Sequence, residues 1–296
     1  MAIRTEGLTK AYGSFLALDG LDLEIQAGEI FGYIGPNGAG KSTTIRLLLD
    51  LLRPTSGRAE VLGMDVRRQG IAVRRRLGYL AGELALYEEL TGRQALRDLA
   101  RLRGGVEEAY VAKLGERFGL PFDKPIREMS KGNKQKVGLI QAFMHRPDVL
   151  ILDEPTSGLD PLLQRTFHEL VGEVAAQGAT VLMSSHVLSE LEHVADRVAM
   201  ISAGRLLAVE RIEDLKRTAP HKVAVAFAAP VSTEELSAVP GVAGVDVRGT
   251  LARFTVHGAM DPVIKAIARH EVVTLTAEEP DLEELFIDRY EGAADG

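Results

Sequence analysis

The sequence predicts an α/β fold: a doubly wound core of mainly parallel strands, followed by a smaller α+β unit. First, the glycine-rich stretch GPNGAGKST (35–43) separates an apolar strand pattern from a run with helical periodicity. Second, residues 149–152 form a continuous apolar run, which is typical of a strand buried on both faces of a parallel sheet, and Asp153 and Glu154 follow it. Third, strand and helix patterns alternate as far as about residue 215, which is typical of such a core.

Composition excludes several classes of protein. The chain has 296 residues, enough for one large core or two ordinary ones, and its 46% hydrophobic and 26% charged residues are typical of soluble globular proteins. A net charge of −7 argues against nucleic-acid binding. The absence of cysteine excludes disulfides, thiol catalysis and cysteine-ligated zinc, and it fits an intracellular protein. Because no apolar run is long enough to cross a bilayer and no signal-peptide core begins the chain, we expect any membrane-spanning part in another polypeptide.

An N-terminal β-subdomain is predicted from short strand patterns within residues 1–34. Tyr12 lies in the first turn region, where it either stacks on an adenine ring or covers a strand edge.

The next stretch has the residue types of a phosphate-binding loop between a strand and a helix. Its glycines allow a tight turn with inward N–H groups, and the helix beginning near Lys41 adds its positive end. Lys41 should reach the β- and γ-phosphates, and the Ser42 hydroxyl should ligate magnesium. The predicted ATP-binding residues are Tyr12, Gly35, Pro36, Asn37, Gly38, Ala39, Gly40, Lys41, Ser42 and Thr43.

A helical region is predicted over about 86–145, after a basic run at Arg74–Arg76. The basic run is either a solvated face or a docking surface for acidic groups or phospholipid headgroups. Ser130 is placed to cap the last of these helices, which opens with Lys131, Gly132 and Asn133. Such an open, positive helix end is either an ordinary cap or an anion site.

Asp153 and Glu154 follow a predicted buried strand, and His186 follows the next one. The carboxyl ends of parallel strands meet at the ligand-binding edge of a sheet, so these side chains should lie at the same edge. Because side chains alternate along a strand, one acid can hold a metal's water shell while the other meets an attacking water. Acids at a strand end can also be a solvated edge, and a lone histidine can be structural.

The predicted domains are 1–216 and 223–296, joined by a linker at 217–222. The second domain has a βαββαβ pattern with an added helix at 281–290, which predicts a ferredoxin-like unit without catalytic residues.

Over about its first 215 residues the chain resembles the ATP-binding subunits of ABC transporters, and most of all those of daunorubicin-resistance-like bacterial exporters. GPNGAGKST is similar to their Walker A loop and VLILDEP (149–155) to their Walker B strand. SGLD is similar to the D-loop, formed by Ser157, Gly158, Leu159 and Asp160, and His186 to the switch histidine. MSKGNKQ (129–135) lies where the signature motif belongs.

The resemblance implies a P-loop ATPase that hydrolyses ATP with Mg²⁺. Glu154 would be the general base, His186 would contact the γ-phosphate, Lys41 would stabilise charge, and Ser42 with Asp153 would bind the metal. A homodimer would share two ATP sites, each closed by the partner's signature residues. These are Ser130, Lys131, Gly132 and Asn133.

Two departures from the family pattern stand out. Lys131 and Asn133 replace the commoner glycine and glutamine of the signature. The loop expected to carry a glutamine reads GYLAGE over 78–83, so Gly82 falls at that position, or Glu83 if the loop shifts by one residue. Glycine has no side chain to sense magnesium or the attacking water.

The implied protein is cytoplasmic and peripheral on the inner face of the plasma membrane. It would drive export through separate integral-membrane permease subunits, which residues 80–105 should contact, and it would bind no nucleic acid. The alternatives are an ABC ATPase without a transport role and a regulatory ATP-binding subunit with weak or no turnover. The C-terminal domain would be a ligand sensor, a dimer brace or a stabilising cap.

Overall fold

The computed structural model describes residues 1–278, which fall into two compact units divided between Glu210 and Arg211. The strands of the first unit are β1 Ile3–Tyr12, β2 Phe15–Ile25, β3 Ile30–Ile34, β4 Ser56–Val61, β5 Met64–Asp65, β6 Leu77–Leu80, β7 Val149–Asp153, β8 Thr180–Ser185, β9 Arg197–Ser202 and β10 Arg205–Arg211. Its helices are α1 Lys41–Leu48, α2 Gly70–Arg76, α3 Gly92–Leu102, α4 Glu108–Phe118, α5 Lys131–Phe143, α6 Pro161–Ala176 and α7 Leu188–Leu191.

A six-stranded sheet forms the centre of the first unit, in the order β10-β9-β3-β8-β7-β6. The strands from β9 to β6 pair in parallel, so their carboxyl ends lie at one edge. Every residue of β3, β7 and β8 is buried, as expected for strands covered on both faces. This confirms the predicted α/β core.

The predicted β-subdomain is an antiparallel sheet in the order β2-β1-β4-β5. Gly57 lies at the irregularity in the pairing of β4 with β1, between the pairs formed by Ser56 and Arg58. A Cβ added at Gly57 would lie 2.2 Å from the Gly7 carbonyl oxygen, and its φ of +78° also favours glycine. The two sheets share one apolar core with α1, in which Ile3, Phe31 and Ile45 are fully buried.

The helical region comprises α3, α4, a short 3₁₀ turn at Ile126–Glu128, and α5. Thr91 begins α3 with a reciprocal capping box to Gln94. Helix α5 lies against β6, since a Cβ at Gly138 would meet Leu80 and Leu84 at 2.7 Å. No helix within residues 1–278 is both long enough and apolar enough to cross a membrane.

The second unit contains a four-stranded antiparallel sheet covered by short helices. Its elements are α8 Ile212–Thr218, β11 His221–Phe227, α9 Thr233–Ser237, β12 Val242–Arg248, β13 Leu251–Val256, α10 Asp261–Ile267 and β14 Val272–Glu278. The strand order β12-β13-β11-β14, with every pair antiparallel, is that of a ferredoxin-like unit. The predicted helix at 281–290 lies outside the described residues.

Two predicted features differ from the structure. The linker expected at 217–222 coincides with the end of α8 and the start of β11, so only Ala219 and Pro220 separate the two elements. Ile212 and Leu215, three residues apart, are both buried, and this apolar spacing accounts for the helix. The basic run lies on α2, where Arg74 contacts Asp50 at 3.6 Å and Arg76 contacts Asp148 at 2.8 Å. It is therefore partly paired rather than only solvated.

Candidate active site

A cavity of about 680 Å³ opens at the carboxyl edge of the central sheet. Among its lining residues are Tyr12, Lys41, Asp153, Glu154 and His186, which are far apart in sequence. The parallel arrangement of β3, β7 and β8 brings these residues together, because the segments that follow the three strands meet at one edge.

The glycine-rich loop fits the cavity wall only with glycine at particular positions. A Cβ at Gly35 would lie 2.2 Å from the Ile201 carbonyl oxygen. Gly40 has a φ of 111° and begins α1 without a side-chain cap. The first N–H groups of α1 are therefore available to an anion, as the loop sequence predicts.

Lys41 is the buried cation of the site. Its side chain is only 6% exposed, and its Nζ donates to the Gly35 carbonyl oxygen and lies 3.6 Å from Glu154 Oε1. A buried ammonium is costly unless it is paired, so this carboxylate helps to keep the charge inside the loop.

Asp153 is held by two hydroxyl groups. Ser42 Oγ donates to Asp153 Oδ2 at 2.9 Å, and Ser184 Oγ donates to Asp153 Oδ1 at 2.5 Å. The pairing of Ser42 with Asp153 provides the hard oxygen ligands that magnesium prefers, so the site fits that ion. No cluster of three or more His, Asp or Glu side chains suited to a metal occurs in residues 1–278, so further ligands would come from phosphate and water.

Glu154 contacts Lys41 through one carboxylate oxygen and His186 through the other. Its Oε2 lies 2.9 Å from His186 Nδ1. Glu154 has a φ of +49°, a left-handed conformation that costs a non-glycine residue about 1–3 kcal/mol. The Ser184 hydroxyl accepts the Glu154 N–H at 3.1 Å and helps to hold this turn. Strain of this kind is typical of functional positions.

The predicted signature residues contact the predicted D-loop rather than the cavity. Lys131 Nζ donates to Ser157 Oγ at 3.1 Å, and a Cβ at Gly132 would lie 2.8 Å from the Gly158 carbonyl oxygen. Ser130 caps α5 by accepting the Asn133 N–H at 3.3 Å. Residues 130–133 are not among the described residues that line the cavity.

The end of the D-loop has mainly a structural environment. Asp160 accepts the Leu163 N–H at 3.0 Å and thereby caps α6, while Leu159 is buried. Ser157 differs from both, because it lines the cavity beside Glu154.

Gly82 and Glu83 both line the cavity beside Asp153. A Cβ at Gly82 would lie 3.4 Å from Asp153 Oδ2, which is ordinary contact. Gly82 is therefore not required by the backbone, and Glu83 is the first residue of this loop beyond β6 with an ionisable side chain.

Phe15 and Ser184 are among the residues of the site that the sequence-based prediction missed. Phe15 lines the cavity opposite Tyr12 across the β1–β2 turn, and both rings are exposed. The two aromatic residues flanking Gly13 and Ser14 were the available signal. Ser184 could have been found from the Ser-Ser-His sequence that ends β8, since its hydroxyl must be paired when the strand is buried.

Residues 18–157 match the family model described as ABC transporter. The probable multidrug ABC transporter ATP-binding protein YbhF of Escherichia coli (strain K12) is 41% identical over 219 residues, covering 72% of this chain and 38% of YbhF. The daunorubicin resistance ATP-binding protein DrrA3 of Streptomyces coeruleorubidus is 43% identical over 220 residues, covering 73% of this chain and 70% of DrrA3.

A solved structure described as the ATP binding subunit of an ABC transporter has a TM-score of 0.68 with this chain. The two sequences are 33% identical, and the match covers 73% of this chain and 92% of the chain in that structure. The match to YbhF spans well under half of that relative, whereas the match to DrrA3 spans more than two thirds of it. On these matches and the geometry of the cavity, the chain belongs to the ATP-binding proteins of the ABC transporter family.

Proposed function

We propose that this chain is the ATP-hydrolysing subunit of a bacterial exporter. The observation that carries the proposal is the position of the Glu154 carboxylate, 3.6 Å from Lys41 Nζ and 2.9 Å from His186 Nδ1 in the cavity. A carboxylate in this position can accept a proton from a water molecule. Lys41 and His186, which lie next to it, can stabilise the negative charge that develops on a phosphate in the cavity.

Each side chain then has a stated task. Glu154 accepts the proton of the attacking water, and His186 orients the carboxylate through Nδ1 and contacts the γ-phosphate. Lys41 and the N–H groups at the start of α1 bind the β- and γ-phosphates. Ser42 and Asp153 would hold magnesium, whose charge offsets that of the phosphates when it is bound.

The site is completed by a second copy of the chain. Ser130 and the open end of α5 offer N–H groups and the Lys131 charge, but they lie outside the cavity that holds Lys41. A head-to-tail dimer would place each α5 end on the partner's nucleotide, so that two ATP molecules hold two chains together. Closure with ATP and opening after hydrolysis would move the attached membrane subunits.

Separate integral-membrane permease subunits are the proposed partners, and the inner face of the plasma membrane is the proposed location. The names of the relatives, multidrug transport and daunorubicin resistance, support export of drug-like molecules over an ABC ATPase role unrelated to transport.

A regulatory subunit with weak turnover is the second candidate, and Gly82 is the observation that favours it, because it replaces the expected glutamine.

We infer instead that Glu83 takes the role of the missing glutamine by holding a water next to Asp153. The room above Asp153 at Gly82 and the position of Glu83 on the cavity wall support this role.

Mixing two inactive variants tests the shared site. Lys41→Ala removes charge stabilisation, and Ser130→Arg blocks the partner's phosphate, so each variant alone should lose ATPase activity. Dimers that combine them have one doubly defective site and one intact site. Activity should therefore return to a fraction of wild type and rise with protein concentration.

Crosslinking that detects mixed dimers supplies the control for this experiment. Abundant mixed dimers without activity would contradict independent shared sites. If instead the Ser130→Arg variant alone keeps wild-type activity, the α5 end does not contact nucleotide and the proposed dimer is wrong.

A further inference from the structure

The segment that carries His186 is fixed by two neighbouring serines that point to opposite sides. Ser184 bonds to Asp153 and to the Glu154 N–H, as described above. Ser185 Oγ instead donates to Glu190 Oε2 at 2.5 Å and accepts the Val187 N–H at 3.0 Å. Ser185 and Val187, the residues on either side of His186, are thus linked to the Glu190 carboxylate through the Ser185 hydroxyl.

Glu190 lies on a short helix that is firmly attached to the sheet. Leu188 and Leu191 of α7 are 1% and 0% exposed. A Cβ at Gly32 of β3 would lie 2.9 Å from Leu191, which shows how closely α7 approaches the strand. The carboxylate therefore has a fixed position relative to the carboxyl edge.

Nearby cations are engaged by other groups. Arg165 bonds to Glu169 at 3.3 Å, and His193 contacts Glu192 at 3.5 Å. Burial, followed by the charge of His193, lowers the pKa of His168 despite the opposing effect of the Glu190 carboxylate, so its ring favours the neutral form. Ser185 is thus the partner to which Glu190 is bonded among the described contacts.

His186 itself has little else to fix it. Its side chain is 54% exposed, and its described hydrogen bond is the one to Glu154. We propose that Glu190 is a positioning residue for the reaction: through Ser185 it fixes the backbone on both sides of His186 and so holds the imidazole against Glu154. The inference rests on the proposed function, in which His186 contacts the γ-phosphate.

Glu190→Ala and Ser185→Ala should each lower kcat about 10-fold and leave the KM for ATP within about two-fold, because misplaced catalytic groups affect the reaction more than ground-state binding. Glu190→Gln keeps an acceptor for the Ser185 hydroxyl and should recover most of the activity. Ser189→Ala removes a neighbouring exposed hydroxyl and is the matched control, with wild-type kinetics expected.

A double-mutant cycle separates positioning from a general structural effect. In a His186→Ala background, Glu190→Ala should cause no further loss, since it acts through the missing imidazole. A further loss as large as in the wild-type background would overturn the proposal. So would wild-type kcat for a folded Glu190→Ala protein.

The position of the imidazole can also be measured without turnover. The chain has seven histidines, and the ¹³Cε1–¹H NMR signal assigned to His186 should shift or broaden in Glu190→Ala but not in Ser189→Ala. An unchanged His186 signal would refute the positioning role. A shifted signal in a protein whose His186→Ala variant hydrolyses ATP normally would keep the positioning and reject the role of His186 in the proposed function.

Discussion

The two units are built from the same kinds of element, yet they bury different kinds of side chain. Every polar or charged side chain buried within residues 1–278 belongs to the first unit. These side chains are Thr5, Glu29, Lys41, Thr44, Gln135, Asp153, Thr156, Thr180, Ser184 and Ser185. The buried side chains described in the second unit, such as Val225 and Phe254, are all apolar.

The contrast has a physical explanation. A buried polar group costs free energy unless it is hydrogen-bonded, so a chain retains such groups where they have a use. Four of them lie at the carboxyl edge and are all hydrogen-bonded. Ser184 donates to Asp153, Ser185 donates to Glu190, and Lys41 donates to the Gly35 carbonyl oxygen. The first unit therefore combines stability with chemistry, whereas the described core of the second unit provides stability through apolar packing.

Glu154→Gln should separate activity from stability in the first unit. Loss of a general base lowers the rate about 10²–10⁴-fold, on the order of 3–5 kcal/mol of barrier. The substitution nearly preserves shape and removes negative charge near the phosphates, so an ATP-bound dimer should accumulate in light scattering. Glu173→Gln, a carboxylate that bonds to Arg117, is the control. Normal hydrolysis, or a protein that stays monomeric with ATP, would contradict the assignment.

Phe254→Ala should show the reverse behaviour in the second unit. Removing a buried phenylalanine costs about 3–5 kcal/mol, and hydrogen exchange of the β11 and β13 amides should accelerate accordingly. ATPase activity should stay within about two-fold. Arg253→Ala, at the exposed neighbouring position, should change neither quantity. A tenfold loss of ATPase activity in Phe254→Ala would show that the second core supports the site.

Glu83→Ala tests whether the edge of the site contains a functional carboxylate. If Glu83 holds a water beside Asp153, the ATPase rate should fall about 10-fold in Glu83→Ala, because a residue that supports a metal site through water contributes to its affinity. The rate should recover partly at raised magnesium concentration. Glu116→Ala removes an exposed carboxylate on α4, outside the cavity, and is the control, with a wild-type rate expected. A near-normal rate for Glu83→Ala would remove this residue from the site.

Acid should destabilise the first unit through His145. Burial, with the nearby Arg103 charge, lowers the pKa of His145 to about 4, while the unfolded value is 6.5. Well above pH 6.5, His145 is neutral in both the folded and the unfolded protein. As pH falls towards 4 the unfolded chain binds a proton first, so stability decreases by about 1–2 kcal/mol after allowance for partial exposure. The free energy of unfolding, measured with denaturant at each pH, should depend less on pH in His145→Gln than in the wild type. An equal pH dependence would exclude His145 as the cause.

The position of the glycine-rich loop, the two acids and the histidine at one edge could be predicted, because each follows a strand that its apolar pattern identifies. The contact between Glu154 and His186 depends on β7 lying beside β8, and strand patterns contain no information on that order. Strand β6 was missed because its four residues, LGYL, include a glycine and follow a basic helix. Helix α8 was missed because its end is polar.

The left-handed backbone at Glu154 has an evolutionary consequence. Glycine would adopt a φ of +49° without steric cost, so Glu154→Gly should relieve local strain while it abolishes hydrolysis. Natural selection for turnover must therefore act continuously against a mutation that relieves the backbone strain at this turn. In a lineage that no longer needs to hydrolyse ATP, this position is expected to drift early towards glycine or asparagine, and residue 154 would record that loss of selection.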